Sequence, residues 1–471
     1  MHTPLRGHST TDYTGNFMTQ KSKPRHCEER STKHPARHCE ERSDEAIHTS
    51  LFDTSSLTRE TVTILNSFDE IIQGVRPLNS RQLQQLPEHI RDLSHQLTDD
   101  RASRRLGYMN DNIQLSSYVR YYTWWNLVRL TRLFANLPDS VFPTADCTCI
   151  DLGSGPLTVV TALWLARPEL RKLNLTWYCL DVSANSLALG EDIYLSIAAR
   201  TSATSGNAVQ PWQIIRVKGP FGTPIKQKAG FLTCANMFNE LDQASDMPPE
   251  FQTKKYYEQL QRYTEKDAGI ILVEPGVPKA ARTLSLLRTR YIKDGRTIAA
   301  PCPHAEECPM SGFKAYTGSK NKWCNFAFST EDAPARLQKL SVAAKLPKER
   351  ATLSFMAIEN ARWLSACEAG VSKPSYEPKS AVVSIRPSGY STTNTTTIRI
   401  TSDKLRLPNY MCGYYGCSQY GLVLVTLPDE NNTRLPKPPF RPQSGDLISV
   451  KTKTPDSLPK DEKSGALIIK L

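Results

Sequence analysis

Between residues 145 and 290, short apolar runs alternate with longer stretches that mix apolar and polar residues. The apolar runs are bounded by Gly, Pro or charged residues, which is typical of buried strands joined by helices. The predicted strands are residues 147–151, 173–180, 212–217, 230–236 and 269–274. This alternation predicts an α/β fold, in which a parallel sheet carries helices on both faces.

The pattern before these strands is helical. From about residue 56 to residue 137, apolar residues recur at spacings of three to five, as in Leu57, Val62 and Leu65. We therefore expect a helical domain over residues 51–140. Its aromatic segment, from Tyr118 to Phe134, is predicted to pack against the next domain, with an RNA-stacking face as the alternative.

Residues 1–50 are polar and contain the sequence His-Cys-Glu-Glu-Arg-Ser twice, at residues 26–31 and 38–43. Such a segment has too little apolar surface to fold alone. The repeat is similar to translated repetitive intergenic elements of bacterial genomes. We expect a disordered, repeat-derived extension and assign it no function.

The remaining chain divides by composition. We expect the α/β core over residues 141–298 and a cysteine-rich loop over residues 299–330. Residues 331–428 should hold the remaining core strands, at 352–358 and 422–427, together with a second insertion. The basic tail, residues 429–471, is predicted to form one hairpin, in which residues 446–451 pair with residues 466–471.

The first strand of the core runs into a glycine-rich turn. Gly153 and Gly155 allow the chain to turn tightly and to bring backbone N–H groups against a ligand, and Asp151 ends the strand with a carboxylate. The second strand ends in Asp181, where a carboxylate can accept hydrogen bonds from both hydroxyls of a ribose. These four residues predict a nucleotide-type cofactor site.

The spacing distinguishes between cofactors. A dehydrogenase would place a third glycine at the position of Thr158 to seat a pyrophosphate. The pattern Asp-x-Gly-x-Gly, with a later acid at a strand end, instead resembles the S-adenosylmethionine loop of class I methyltransferases. S-adenosylmethionine is therefore the expected cofactor, and the fold class is a methyltransferase-like Rossmann fold.

Polar residues also follow the fourth strand. Because ligands of open α/β sheets lie at the carboxyl ends of the strands, we expect Asn236 and Asn239 to contact the cofactor in the same crevice. The turn Asn-Met-Phe-Asn lacks the Asn/Asp-Pro-Pro-aromatic sequence of enzymes that methylate exocyclic amines. Cys234 lies within a strand and is predicted to be a core thiol, so no catalytic residue is assigned.

Composition narrows the class of protein. The 471-residue chain has a net charge of +12, which favours an acidic partner such as RNA, although solubility alone is an alternative reason for the charge. We expect neither a membrane nor DNA as a partner. No apolar run reaches the roughly 18 residues that cross a bilayer, and the N-terminus lacks a secretory signal. We expect a soluble, cytoplasmic bacterial protein. Its 12 cysteines are then buried thiols or metal ligands rather than disulfides.

Cys302, Cys308 and Cys324 are flanked by Pro and charged residues, which is unusual for core thiols. Three cysteines in one loop suggest a metal. A fourth ligand is available from Cys412 or Cys417. Four thiolates can hold tetrahedral zinc or a 4Fe-4S cluster, and the spacing does not decide between the two.

Several motifs together carry a family resemblance. They are Asp151-Leu-Gly-Ser-Gly-Pro, Asn239-Glu-Leu, Val273-Glu-Pro-Gly, Cys302-Pro-His, Cys308-Pro and Trp323-Cys-Asn-Phe. In this order they resemble the methyltransferase-like, Rsm-type family of mitochondrial ribosomal small-subunit assembly factors and their bacterial relatives. The resemblance covers about residues 60 to 428.

The resemblance implies both a cofactor and a partner. In that family three loop cysteines and a more distant one hold a 4Fe-4S cluster, and the protein binds the immature small subunit. The loop positions correspond to Cys302, Cys308 and Cys324, and the distant position to Cys417, with Cys412 as the alternative. His304 is a further candidate, either as a hydrogen-bond partner of one of the metal ligands or, if the metal is zinc, as a ligand itself.

The resulting hypothesis is a SAM-binding, iron–sulfur, methyltransferase-like protein with an N-terminal helical domain and a cysteine-rich metal-binding insertion. It would act on the small ribosomal subunit and its rRNA, either as an assembly factor or as an rRNA methyltransferase. Two alternatives are a non-catalytic RNA-binding scaffold and a small-molecule methyltransferase with structural zinc. Catalytic turnover and the oligomeric state are left open.

Overall fold

The computed structural model describes residues 46–98, 108–205, 209–241, 247–313, 322–362, 381–383, 394–432, 440–452 and 454–471. The two copies of the N-terminal repeat lie outside these residues. No helix in the described ranges is long and apolar enough to cross a membrane.

Helices dominate the first part of the chain and cover the sheet that follows. They are α1 (Arg59–Asn66), α2 (Phe68–Val75), α3 (Ser80–Thr98), α4 (Asn112–Tyr118), α5 (Trp124–Asn136), α6 (Thr158–Ala166), α7 (Ala184–Ser205), α8 (Phe238–Leu241), α9 (Pro249–Tyr263), α10 (Pro278–Lys293) and α11 (Ala335–Ala343).

Strands form two separate sheets. They are β1 (Ala46–Ser50), β2 (Thr148–Leu152), β3 (Thr176–Asp181), β4 (Gln213–Lys218), β5 (Ala229–Ala235), β6 (Thr264–Glu274), β7 (Ile298–Ala300), β8 (Phe326–Ser329), β9 (Arg350–Ile358), β10 (Ala381–Val383), β11 (Asn394–Ile400), β12 (Leu405–Leu407), β13 (Met411–Ser418), β14 (Gly421–Pro428), β15 (Asp446–Thr452) and β16 (Leu467–Lys470).

The core sheet has the strand order β4-β3-β2-β5-β6-β9-β7, and β8 pairs with β9. Strands β2 to β6 run parallel, whereas β9 is antiparallel to β6. Central strands of such a sheet are buried on both faces, and Ile150, Leu232 and Ile270 are fully buried. This is the arrangement of a class I methyltransferase-like Rossmann fold, which confirms the fold class predicted from the alternation of strands and helices.

The helices before β2 pack on this sheet through the aromatic segment. Trp124 donates its indole N–H to the carbonyl of Leu65 at 2.8 Å, and Trp125 donates to Ser341 Oγ at 3.1 Å. Both indoles are at most 2% exposed. A π-helical turn, Val119–Thr123, separates α4 from α5. The segment thus packs both on its own helical domain and, in one hydrophobic core with Trp164 and Phe231, on the domain that follows, but two of its tyrosines line a cavity described below.

The second sheet has the order β10-β1-β15-β11-β13-β14-β16, with β12 on β13. Its own core contains Ile398, Val425 and Ile448, each at most 1% exposed. β15 alternates buried and half-buried residues, as expected of a strand with one face on a core.

Three expectations about this part of the chain are corrected. The strand predicted at 422–427 belongs to the second sheet and not to the core sheet. The predicted tail hairpin does not form, because β15 pairs with β1 and β11 and β16 pairs in parallel with β14. Ala46–Ser50, expected within the extension, form β1. Alternation of apolar residues predicts a strand, but it does not say which distant strand becomes its partner.

Candidate functional site

The glycine-rich loop after β2 is held in left-handed backbone conformations. Gly153 and Gly155 have φ of +65° and +50°, which residues with a Cβ rarely adopt. A Cβ on Gly153 would also lie 2.9 Å from Cβ of Met237. Ser154 fastens the turn, because its N–H donates to the carbonyl of Leu180 at 3.0 Å and its hydroxyl to the carbonyl of Asp151 at 2.8 Å.

Asp181 joins this loop to the end of β3. Its Oδ2 accepts a hydrogen bond from the N–H of Gly155 at 2.9 Å, and its Oδ1 accepts one from the N–H of Ser183 at 2.8 Å. Burial raises the pKa of this carboxyl, which is 8% exposed. Because a carboxylate oxygen has two lone pairs, each oxygen can still accept a hydrogen bond from a ligand hydroxyl.

These elements border one cavity, which we call the donor cavity. Four of the six predicted cofactor residues line it, namely Gly153, Gly155, Asp181 and Asn236. Asn239 does not line the donor cavity but lines the cavity beside it. The sheet edge therefore brings five of the six predicted residues to one crevice.

Asp151 lies beneath the loop, and its contact with the cofactor stays a prediction. It is fully buried and is not among the described residues that line the donor cavity. Oδ1 accepts a hydrogen bond from Oγ1 of Thr233 on the neighbouring strand at 2.7 Å, whereas Oδ2 is buried with no partner among the described residues. Burial raises the pKa of Asp151 to about 7. The sequence pattern located this carboxylate at the loop but did not show which way its side chain points.

Gly190 on α7 is a site residue that the sequence reasoning missed. A Cβ there would lie 2.4 Å from the carbonyl carbon of Pro156 and 2.7 Å from the N atom of Leu157. The helix backbone thus packs directly against the backbone that follows the glycine-rich turn. An isolated glycine inside a helical pattern was the available signal, because such glycines often mark a close backbone approach.

Glu274 fixes the turn that follows β5. Its Oε1 accepts a hydrogen bond from the N–H of Phe238 at 2.9 Å, and its Oε2 accepts one from the N–H of Asn239 at 3.0 Å. The carboxyl is fully buried. Asn236, at the start of this turn, has φ of +60°, and such conformations in residues other than glycine cluster at functional sites.

A second cavity of about 490 Å³ opens beside the donor cavity, and we call it the outer cavity. This volume is within the range typical of small-ligand sites. Tyr118, Asn126, Asn236 and Glu240 line both cavities. A ligand in the outer cavity would therefore lie next to one in the donor cavity, as a two-substrate transfer reaction requires.

The predicted cysteines meet at another place, between the two sheets. Cys302, Cys308 and Cys324 are half-buried, and Cys417 on β13 is 7% exposed. Burial is the main cause that raises the pKa of Cys324 and of Cys417, and the other thiols of the group raise both further. The four predicted cysteines are therefore close enough to influence one another electrostatically.

Two arginines and a histidine surround these thiols. Nε of Arg288 donates a hydrogen bond to Sγ of Cys302 at 3.1 Å, and Arg399 donates to the carbonyl of Pro301 at 2.9 Å. His304 Nε2 lies 3.0 Å from Sγ of Cys417. The arginines favour the thiolate form of the cysteines, because an adjacent cation stabilises a negative sulfur.

Cys412 lies on the opposite side of β13. Its thiol donates to the carbonyl of Leu427 at 3.5 Å, and the charged groups that influence its pKa are Lys404, Asp429 and Arg441. Residues five apart in a strand point to opposite faces, so Cys412 and Cys417 cannot both reach the thiol group. Within the described residues, no set of three or more Cys, His, Asp or Glu side chains has the geometry of a metal site.

Comparison with solved structures gives low similarity to methyltransferases. A SAM-dependent methyltransferase from Geobacter sulfurreducens, solved with S-adenosyl-L-homocysteine, is 12% identical with a TM-score of 0.28 over 50% of this chain and 90% of that chain. A putative class I SAM-dependent methyltransferase from Listeria monocytogenes is 11% identical, with a TM-score of 0.29 over 66% and 89%. The rRNA methyltransferase AviRa from Streptomyces viridochromogenes is 13% identical, with a TM-score of 0.24 over 31% and 73%.

Similarity at the family level is more informative. A search of curated protein sequences found no match. In contrast, the family described as "Mitochondrial small ribosomal subunit Rsm22" matches residues 127–397, which include the glycine-rich loop and the three loop cysteines but not the cavity residues before position 127, such as Tyr118 and Tyr122. This span is more than half of the 471 residues. The chain therefore belongs to the Rsm22 family.

Proposed function

We propose that this protein binds S-adenosylmethionine in the donor cavity and acts on the small ribosomal subunit, as an assembly factor or as an rRNA methyltransferase. The observation that carries the proposal is the contact between Asp181 and the glycine-rich loop. It places a carboxylate with accepting capacity beside backbone that approaches a ligand closely.

Two residues of the donor cavity, which has a volume of about 140 Å³, could contact parts of S-adenosylmethionine. Asp181 would accept hydrogen bonds from the ribose hydroxyls, and Gly153 would allow the rest of the molecule to pass close to the backbone. Asn236 stands where the donor and outer cavities meet. When bound, S-adenosylmethionine supplies an electrophilic methyl group. The chain would orient this group toward an acceptor held in the outer cavity.

We propose that the four cysteines hold a 4Fe-4S cluster, as the family resemblance implies, and zinc is the alternative. A single zinc ion would need four ligands at about 2.3 Å. A 4Fe-4S cluster also takes four thiolates but holds them around a larger group. Arg288 and Arg399 would offset part of its negative charge. We assign Cys302, Cys308, Cys324 and Cys417 as its ligands, and the cluster would link the inserted loop to the second sheet.

The partner is inferred from the family and from charge. The family takes its description from the mitochondrial small ribosomal subunit, and the net charge of +12 favours an RNA-rich surface. We therefore propose ribosomal RNA of the small subunit as the macromolecule that this protein contacts.

The donor site is tested by calorimetric titration with S-adenosylmethionine. Asp181→Asn should weaken binding roughly tenfold, because an unpaired ribose hydroxyl costs on the order of 1–3 kcal/mol. Asp192→Asn is the matched control, because Asp192 is exposed on α7 and does not line the cavity. Equal affinity in both variants would show that Asp181 does not hold the cofactor. Co-sedimentation with purified small subunits then tests the partner.

A further inference from the structure

The wall of the outer cavity is aromatic on the side of the helical domain. The rings of Tyr118 and Tyr122 stack with centroids 5.4 Å apart, and Trp125 lies beside them. These residues sit at and next to the π-helical turn Val119–Thr123. Single π-helical turns inside helices are frequent at functional sites. Aromatic walls of this kind accept flat ring systems by stacking.

Two cations face the same cavity. Arg129 donates to the carbonyl of Thr352 at 2.7 Å and to Oδ1 of Asn126 at 2.7 Å. The ammonium of Lys348 lies 5.6 and 5.3 Å from the ring centroids of Tyr121 and Trp125. In the described part of the chain neither cation forms an ion pair with a carboxylate.

Arg129 and Lys348 lie close enough to repel each other. The surrounding protein, together with the nearby Arg129, lowers the pKa of Lys348 to about 8, although the residue as a whole is exposed. A bound anion would relieve the repulsion between the two cations. Glu240 and Glu349 also line the cavity, as does Arg350, which is paired with Asp403. Because Asp403 offsets the charge of Arg350, the lining carries two further cations and two carboxylates and has no net positive charge.

The outer cavity offers an aromatic surface, two cations and an opening to the donor cavity, and these three features indicate which kind of ligand it can bind. We infer that the outer cavity binds one unpaired nucleotide of an RNA strand, with its base on the tyrosine wall and its phosphate on Lys348. The base would then point toward Asn236 and Glu240, where the two cavities meet. A base in a duplex cannot reach such a site without leaving the stack, so the substrate is unpaired or flipped out. This inference rests on the proposed function and specifies its acceptor.

The test measures nucleotide binding with the donor cavity blocked. The protein is saturated with S-adenosylhomocysteine and titrated with uridine or adenosine monophosphate, with the corresponding nucleosides, and with inorganic phosphate, by ligand-observed NMR. At least one monophosphate should bind more tightly than both its nucleoside and inorganic phosphate. Failure of both monophosphates to bind the wild-type protein overturns the inference.

Variants then separate the two contacts. Lys348→Gln should weaken monophosphate binding roughly tenfold and leave nucleoside binding unchanged, and Lys348→Glu should weaken it further. Tyr122→Leu should weaken both ligands roughly tenfold, because it removes a stacking ring. Lys339→Gln is the matched control for charge, because Lys339 is exposed on α11 and outside the cavity.

Two outcomes would contradict the assignment. If Lys348→Gln binds the monophosphate as tightly as Lys339→Gln, the phosphate is not held by Lys348. If inorganic phosphate competes as well as the monophosphate and Tyr122→Leu has no effect, the cavity is an anion site without a base site. Titration of the wild-type protein with S-adenosylmethionine distinguishes the two hypotheses, because its failure to bind contradicts the proposed function, whereas normal binding without monophosphate binding contradicts only the nucleotide site.

Discussion

Replacing Gly190 by alanine tests whether α7 supports the cofactor loop. The added Cβ would lie 2.4 Å from the carbonyl carbon of Pro156 and 2.7 Å from the N atom of Leu157. Both atoms belong to the backbone, so no side-chain rotation relieves the contact. Either α7 or the loop between Gly153 and Thr158 must move.

Two opposing effects determine how much Gly190→Ala changes the free energy of unfolding. Alanine in a helix interior is favoured over glycine by about 1 kcal/mol. Overpacking a tight contact costs typically 1–3 kcal/mol, and a clash with backbone belongs at the upper end of that range. We expect Gly190→Ala to lower the free energy of unfolding by about 1–2 kcal/mol. Because Leu157 directly follows the glycine-rich turn, affinity for S-adenosylmethionine should also fall, by roughly tenfold.

Gly74→Ala on α2 is the matched control, because Gly74 is exposed and a Cβ there meets no atom within 4 Å. It should raise the free energy of unfolding by up to about 1 kcal/mol and leave cofactor affinity unchanged. Chemical denaturation and calorimetry on both variants provide the comparison. If Gly190→Ala is stabilised to the same extent as Gly74→Ala, the close approach of α7 to the loop is not part of the native structure.

Three further predictions concern charge and the thiols. The pKa of Asp151 is raised from its usual 3.8 to about 7 in the folded protein, so its contribution to stability is complete below about pH 4 and is lost as the pH rises through 7. The free energy of unfolding should fall by on the order of 4 kcal/mol between these two pH values. In Asp151→Asn the denaturation midpoint should depend less on pH over this range. Cys417→Ser should lower the iron content of anaerobically purified protein, whereas Cys412→Ser should not; the reverse result would move the fourth ligand. Affinity for small-subunit RNA should fall with salt on a log–log plot, and a flat plot would argue against phosphate contacts.

The sequence by itself determined the core strands and the glycine-rich loop. Short apolar runs bounded by Gly, Pro or charge mark buried parallel strands, since both faces of such strands exclude water. Gly153 and Gly155 mark the turn because few other residues adopt positive φ. Asp181 and Asn236 could be placed at one crevice because parallel strands end at the same edge of the sheet.

Other features were decided by tertiary structure. The pairing of β1 with β15 joins residues about 400 positions apart, and no local pattern specifies such a partner. The direction of Asp151 toward Thr233 depends on the neighbouring strand. The four cysteines were recognisable as a set, but only the pleat of β13 turns Cys417 toward the others and Cys412 away from them.

The outer cavity is the clearest example of a feature that only the tertiary structure decided. Its aromatic wall comes from the helical domain, Asn236 comes from the end of β5, and Lys348 comes from the segment before β9. Local patterns mark the aromatic segment and Asn236 separately, but they do not mark Lys348 or show that the three share a cavity, because local periodicity reports only burial and secondary structure. These residues span more than 200 positions in the sequence. They line one cavity only because the helices and strands that carry them pack together when the whole core is assembled.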